Sequence, residues 1–194
     1  MTRSVVIAVL AGWLLVALIV GATGTLSRLP VPPPFIAVAL TILVLLLMRT
    51  SRVVQAEARQ LGARSLVAFH TIRLPIGAYF LVLEGRGVLP AAFANPAGWG
   101  DMLVGLAAIA VAAWCCPVTT PGGRMGLMVW NVVGLVDIFG VLANGIRIFA
   151  GDPAFAAPFT GLPLSLLPTF VVPLVIVSHV ILFTYSRAPS SVQR

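Results

Sequence analysis

Residues 65–83, SLVAFHTIRLPIGAYFLVL, form an apolar run that would rise about 28 Å as an α-helix at 1.5 Å per residue. That is close to the roughly 30 Å hydrocarbon thickness of a bilayer. The run nevertheless contains a histidine and an arginine. An ionisable side chain in the middle of a span costs about 2.5–3.5 kcal/mol on insertion scales, so it is rare unless paired or useful. His70, Arg73 and Gly77 stand at i, i+3 and i+7, which puts them on one helical face. Glu84 continues that face to the far end. Pro75 has no N–H to return to the Thr71 carbonyl, so a kink is expected beside the arginine.

The rest of the chain has the same character. Of the 194 residues, 60 % are apolar and 9 % charged, against roughly a quarter charged in soluble domains. Six runs read as membrane-spanning helices: 5–26, 34–48, 65–83, 99–116, 125–149 and 167–185. Pro and Gly cluster between them, as turn chemistry requires. The first run is longer than the 7–15 apolar residues usual for a signal peptide and has no clean cleavage site after it, so it reads as a retained span. The fold class expected is all-α, a polytopic transmembrane bundle forming one integral membrane domain over residues 1–194.

The net charge of +7 would suggest nucleic acid in a soluble protein. Here the basic residues sit beside apolar runs, as in loops facing anionic lipid, so the partner expected is the bilayer and not nucleic acid. Arg3, Arg49, Arg52, Arg59, Arg64, Arg124, Arg187 and Arg194 fall on one side of the six runs. Arg28, Arg86 and Arg147 fall on the other, with Glu84 and Asp152. The Arg-rich side is expected to be cytoplasmic, with both termini there, in a plasma (inner) membrane. The linker 49–64 is amphipathic and is expected along that interface.

Residue types also exclude chemistry. Every basic residue is Arg, so there is no lysine for a retinal or pyridoxal Schiff base or for a phosphate-binding loop. Cys115 and Cys116 are adjacent and read as reduced, buried thiols, with no CxxC or CxxCH pattern. No HExxH, GxSxG or Walker A string occurs, and Ser178 and His179 point about 100° apart on a helix, so no enzyme is expected.

Partners for the 65–83 stripe lie in other runs. The fifth carries Trp130, Gly134, Asp137, Val141 and Asn144 on one face with Asn131 on its flank. The sixth carries His179, and the fourth opens with Asp101. Counting helical rise from the cytoplasmic ends puts His70, His179 and Asn131 about 8–11 Å deep, Arg73 about 12 Å and Asp137 about 20 Å. The only two histidines therefore share a level.

Three readings follow. In one, Arg73, Asp137, His70, Asn131 and His179 join helices by polar contacts, as in a structural or partner subunit of a membrane complex. In another they bind a ligand or a b-type haem, with His70 and His179 as axial ligands, Gly77 and Gly134 leaving room for the ring, and Arg73 on a propionate. In the third, Asp101, Asp137, Arg73 and His70, with Glu84 beyond, relay protons for movement of a small solute. Phe93, Trp99, Phe155 and Phe159 in the outer connections are expected at the membrane surface. Gly105, Ala108 and Ala112 form a small-residue ridge suited to packing within the chain, with a homodimer as the alternative.

Overall fold

A computed structural model describes residues 3–51, 54, 55 and 61–187. Residues 52, 53 and 56–60 of the linker 49–64, Arg52 and Arg59 among them, lie outside the described residues, as does Arg194. The described chain is all-α. Its helices are α1 (Arg3–Ala22), α2 (Pro33–Thr50), α3 (Ala63–Phe69), α4 (Arg73–Gly85), α5 (Ala91–Trp114), α6 (Pro121–Gly151) and α7 (Val172–Arg187). Short 3₁₀ segments occupy Thr25–Arg28, His70–Ile72 and Pro153–Thr160, and a π-helical turn, Leu167–Val171, leads into α7.

Five helical segments are long and apolar enough to cross a membrane: Pro33–Thr50, Ala63–Gly85, Ala91–Trp114, Pro121–Gly151 and Leu167–Tyr185. In α1 the apolar stretch Val6–Ala22 is shorter. Large apolar side chains are turned outward, among them Leu103, Leu106 and Ile109 on α5 and Val129, Val133 and Val136 on α6. A soluble protein does not expose such continuous apolar faces, so the build is compatible with a membrane protein.

The chain divides into two compact units, residues 1–60 with 145–177, and residues 61–144 with 178–194. In the first, Pro173 cannot donate to the carbonyl one turn earlier, that of Thr169. The Trp13 indole N–H donates to that oxygen at 2.8 Å, and the Trp13 ring meets Phe170 edge-on at 5.1 Å. Phe155 and Phe159, expected at the surface, are instead buried with ring centroids 5.4 Å apart. Mutual packing removes more apolar area from water than two separate interfacial anchors would.

The second unit is built on the α4–α5 pair. A Cβ on Gly77 would overlap the Gly98 carbonyl, and one on Gly105 would lie 2.6 Å from the Leu74 nitrogen. The helices therefore meet backbone to backbone, and Gly105 and Ala108 of the small-residue ridge are buried inside the chain. Helix α5 begins at Ala91, eight residues before the boundary expected from sequence. By sequence Pro96 falls ahead of that boundary, in a connection rich in Pro and Gly. It lies within the helix because the carbonyl it deprives of a donor, that of Ala92, accepts from Asn144 Nδ2 at 2.8 Å. Phe93 is likewise buried rather than interfacial, its ring 5.5 Å from Phe80, and Leu89 is buried too. Trp99 remains exposed.

Candidate functional site

The expected kink appears as a change of helix type. Ahead of Pro75 the backbone tightens into the 3₁₀ turn His70–Ile72, and α4 restarts at Arg73. His70 and Arg73, three residues apart, both point into the second unit, 0 % and 1 % exposed.

Arg73 is held by three acceptors on two helices. Its Nε–H donates to Asp101 Oδ1 of α5 at 2.6 Å, its Nη2–H to Asp137 Oδ2 of α6, and its Nη1–H to the Gly134 carbonyl at 3.2 Å. The rigid guanidinium fork presents separate N–H groups to each acceptor, which an ammonium on a flexible stem does not. Two glycines leave room for the cluster, Gly100 beside Asp137 and Gly134 beside His179. A Cβ on Gly100 would overlap Asp137 Oδ1, and one on Gly134 would lie 2.6 Å from His179 Cε1.

The histidines form the adjoining half. Their ring centroids are 4.1 Å apart at a 44° tilt, and Trp130 lies 5.0 Å from His70 and 5.5 Å from His179. His70 Nε2 is 2.9 Å from Ser178 Oγ, and His179 Nδ1 is 2.8 Å from Asn131 Oδ1. Asn131 Nδ2–H in turn donates to the His179 carbonyl at 3.1 Å. The opposite ring nitrogens, His70 Nδ1 and His179 Nε2, are buried without a hydrogen-bond partner.

His70, Arg73, Asn131, Asp137 and His179 thus gather in one unit. Asp101, expected as a relay point near a helix start, instead lies ten residues into α5 and ion-pairs directly with Arg73. Glu84 sits at the other end of α4, eleven residues and about 16 Å of helical rise from Arg73. Ser178 is a partner that local sequence does not indicate, since its helical neighbour His179 points elsewhere. It bonds His70 from across the unit instead. That pair lacks the acid that orients a catalytic histidine, since His70 Nδ1 has no partner.

The geometry does not accommodate haem. A metal–imidazole bond of about 2 Å on each side of an iron would hold the two ring centres well over 4 Å apart, with a macrocycle between them. Here the imidazoles touch directly. Among the described residues no group of three or more His, Cys, Asp and Glu side chains is arranged to hold a metal ion.

What the cluster does hold is an unequal set of charges. Asp101 and Asp137 bring two carboxylates to one guanidinium, with both imidazoles close by.

Residues 31–186 match the family described as "Domain of unknown function (DUF8737)". The chain belongs to the DUF8737 family. No curated protein and no solved structure matches it. All members of the cluster, from His70 to His179, fall within the DUF8737 region, whereas the whole of α1 precedes it. The family carries no assigned activity, so function has to be argued from the cluster itself.

Proposed function

We propose that this protein is a multi-pass membrane protein that binds a proton at the Arg73–Asp101–Asp137 cluster and couples its movement to that of a small solute. The observation that carries this reading is the fully buried guanidinium between two carboxylates. Ionised, the three groups sum to −1. An uncompensated charge in a low-dielectric interior is costly, and one bound proton removes it. Asp137, whose side chain is 18 % exposed, is the member from which a proton can enter or leave. His70, Asn131 and His179 are the adjoining ligand or relay groups.

The setting proposed is a plasma membrane crossed six times, α1 supplying the sixth span and both ends facing the cytoplasm. The Arg-rich connections support this orientation. A second reading is favoured by the contacts of Arg73 with both α5 and α6, which suit a purely structural tie between helices.

Proteoliposomes loaded with the pH dye pyranine separate the two. An external acid pulse, alone and with a panel of small solutes outside, should acidify the lumen faster with wild-type protein than with Asp137→Asn. Equal rates for both proteins across the panel, with Asp137→Asn correctly folded, would leave only the structural tie.

A further inference from the structure

The two aspartates bring four carboxylate oxygens to Arg73, and the guanidinium uses one from each. Nε–H takes Asp101 Oδ1 and Nη2–H takes Asp137 Oδ2. An oxygen that already accepts from a charged N–H is the poorer place for a proton. The proton of the cluster therefore belongs on Asp101 Oδ2 or on Asp137 Oδ1.

The surroundings of the two side chains separate these choices. On α5 the residues three and four positions either side of Asp101, namely Ala97, Gly98, Val104 and Gly105, are all buried. Asp101 thus points into the unit, its side chain 6 % exposed. Asp137 stands on the rim of the inward face of α6: Gly134, one turn back, is buried, whereas Val133 and Gly140 are exposed. Its Oδ1 lies against the backbone of Gly100, where a Cβ would overlap it. Gly100 is itself only half-buried, between exposed Trp99 and, one turn on, exposed Leu103. Oδ1 is therefore at the outer edge of the seam between α5 and α6.

That edge is apolar and far from either end of its helix. Asp137 is sixteen residues from Pro121 and fourteen from Gly151, so about 21 Å of helical rise separates it from the nearer end. Trp99, Leu103 and Val133 turn large apolar surfaces outward there, and in a bilayer acyl chains cover such a face. A charged oxygen in that position is costly, and a neutral acid is far less so.

We infer that Asp137 Oδ1 carries the proton of the cluster and faces acyl chains at the α5–α6 seam, while Asp101 stays the carboxylate that neutralises Arg73. Arg73 and Asp101 then form a closed ion pair inside the unit, and Asp137 accepts from Nη2–H through its carbonyl oxygen. Loss of the proton waits on water reaching the seam, which hydrates the carboxylate left behind. Asp137 is thereby a modification site for apolar reagents that attack protonated acids. This rests on the proposed proton-binding reading, but its test locates a residue and does not use transport.

The full chain in lipid nanodiscs at neutral pH is treated with dicyclohexylcarbodiimide, which enters hydrocarbon and adds across the O–H of a carboxylic acid, or with a water-soluble cationic carbodiimide. Peptide mass spectrometry locates the adduct. Asp137 should carry the apolar reagent and Asp101 none. Labelling should rise on acidification and fall in alkaline solution, and the water-soluble reagent should leave Asp137 unmodified. An adduct on Asp101 overturns the inference, as does an unmodified Asp137 in folded protein or equal labelling of Asp137 by the water-soluble reagent. Infrared spectra give an independent check. Asp137→Glu should shift the carbonyl band of the protonated acid and Asp101→Glu should leave it in place; the reverse pattern assigns the proton to Asp101 and overturns the inference. A wild-type protein without such a band binds no proton, and the proposed function falls with the inference. A band in a protein whose Asp137 stays unlabelled removes the inference alone.

Discussion

Gly134 is the floor beneath the His179 imidazole: a Cβ there would come within 2.6 Å of Cε1 and 2.9 Å of Nε2, and within 3.1 Å of Val104. Gly134→Ala should therefore displace the ring from Asn131 and destabilise the protein by about 1–3 kcal/mol, the usual cost of overpacking. Gly140, on the same helix, has open space around its Cα. Gly140→Ala should be neutral or stabilising by up to about 1 kcal/mol through helix propensity. Denaturant unfolding in micelles checks the contrast, and equal effects at the two sites would refute it.

Arg73→Lys keeps the charge and loses the fork. A single ammonium is poorly shaped to serve Asp101, Asp137 and the Gly134 carbonyl together. The expected loss is about 3 kcal/mol, at the lower end of the range for a broken buried ion pair. Unfolding of Arg73→Lys beside Asp101→Asn measures it. Wild-type stability in Arg73→Lys would mean that charge alone holds the cluster.

The Asn144–Ala92 hydrogen bond is expected to matter more because of Pro96. Asn144→Leu should cost about 1 kcal/mol in the wild-type background, the price of an orphaned carbonyl. In Pro96→Ala, where residue 96 regains an N–H for Ala92, the cost should be smaller. A double-mutant cycle reads this coupling, and additive effects would contradict it.

Cys116 lies just beyond the end of α5. Burial first, and then the neighbouring Cys115, push its thiol above the ordinary cysteine range, against a smaller opposite pull from Arg64. A raised value means less thiolate at neutral pH. In Cys115→Ser the remaining thiol should label with maleimide far more slowly at pH 7 than a free cysteine, and accelerate in alkaline solution. Mass spectrometry of timed samples follows it, and labelling at the rate of free cysteine would contradict the assignment.

Much of this arrangement is legible in the sequence, for a physical reason. Charge is so unwelcome in hydrocarbon that His70, Arg73, Asp137 and His179 had to turn inward, and one helical face per run sufficed to name them. The 3₁₀ turn before Pro75 was readable as a break because a missing N–H is a local fact. What sequence did not reveal depends on contacts between distant helices. Asp101 was misplaced because Pro96 looked like a loop residue until Asn144, 48 positions later, supplied its missing partner. Helical geometry separates Ser178 from His179, and nothing local indicates His70 opposite it. The haem arrangement had the two histidines in register and failed on spacing, which periodicity does not encode.

The account depends on one bound proton that balances two carboxylates against one guanidinium. Infrared spectroscopy of the protein in nanodiscs at pH 7 tests this directly. The account predicts a carbonyl band of a protonated carboxylic acid in wild type. That band should disappear in both Asp101→Asn and Asp137→Asn, because each leaves a single carboxylate already neutralised by Arg73. A wild-type spectrum without that band, or a band that persists in both variants, would contradict it.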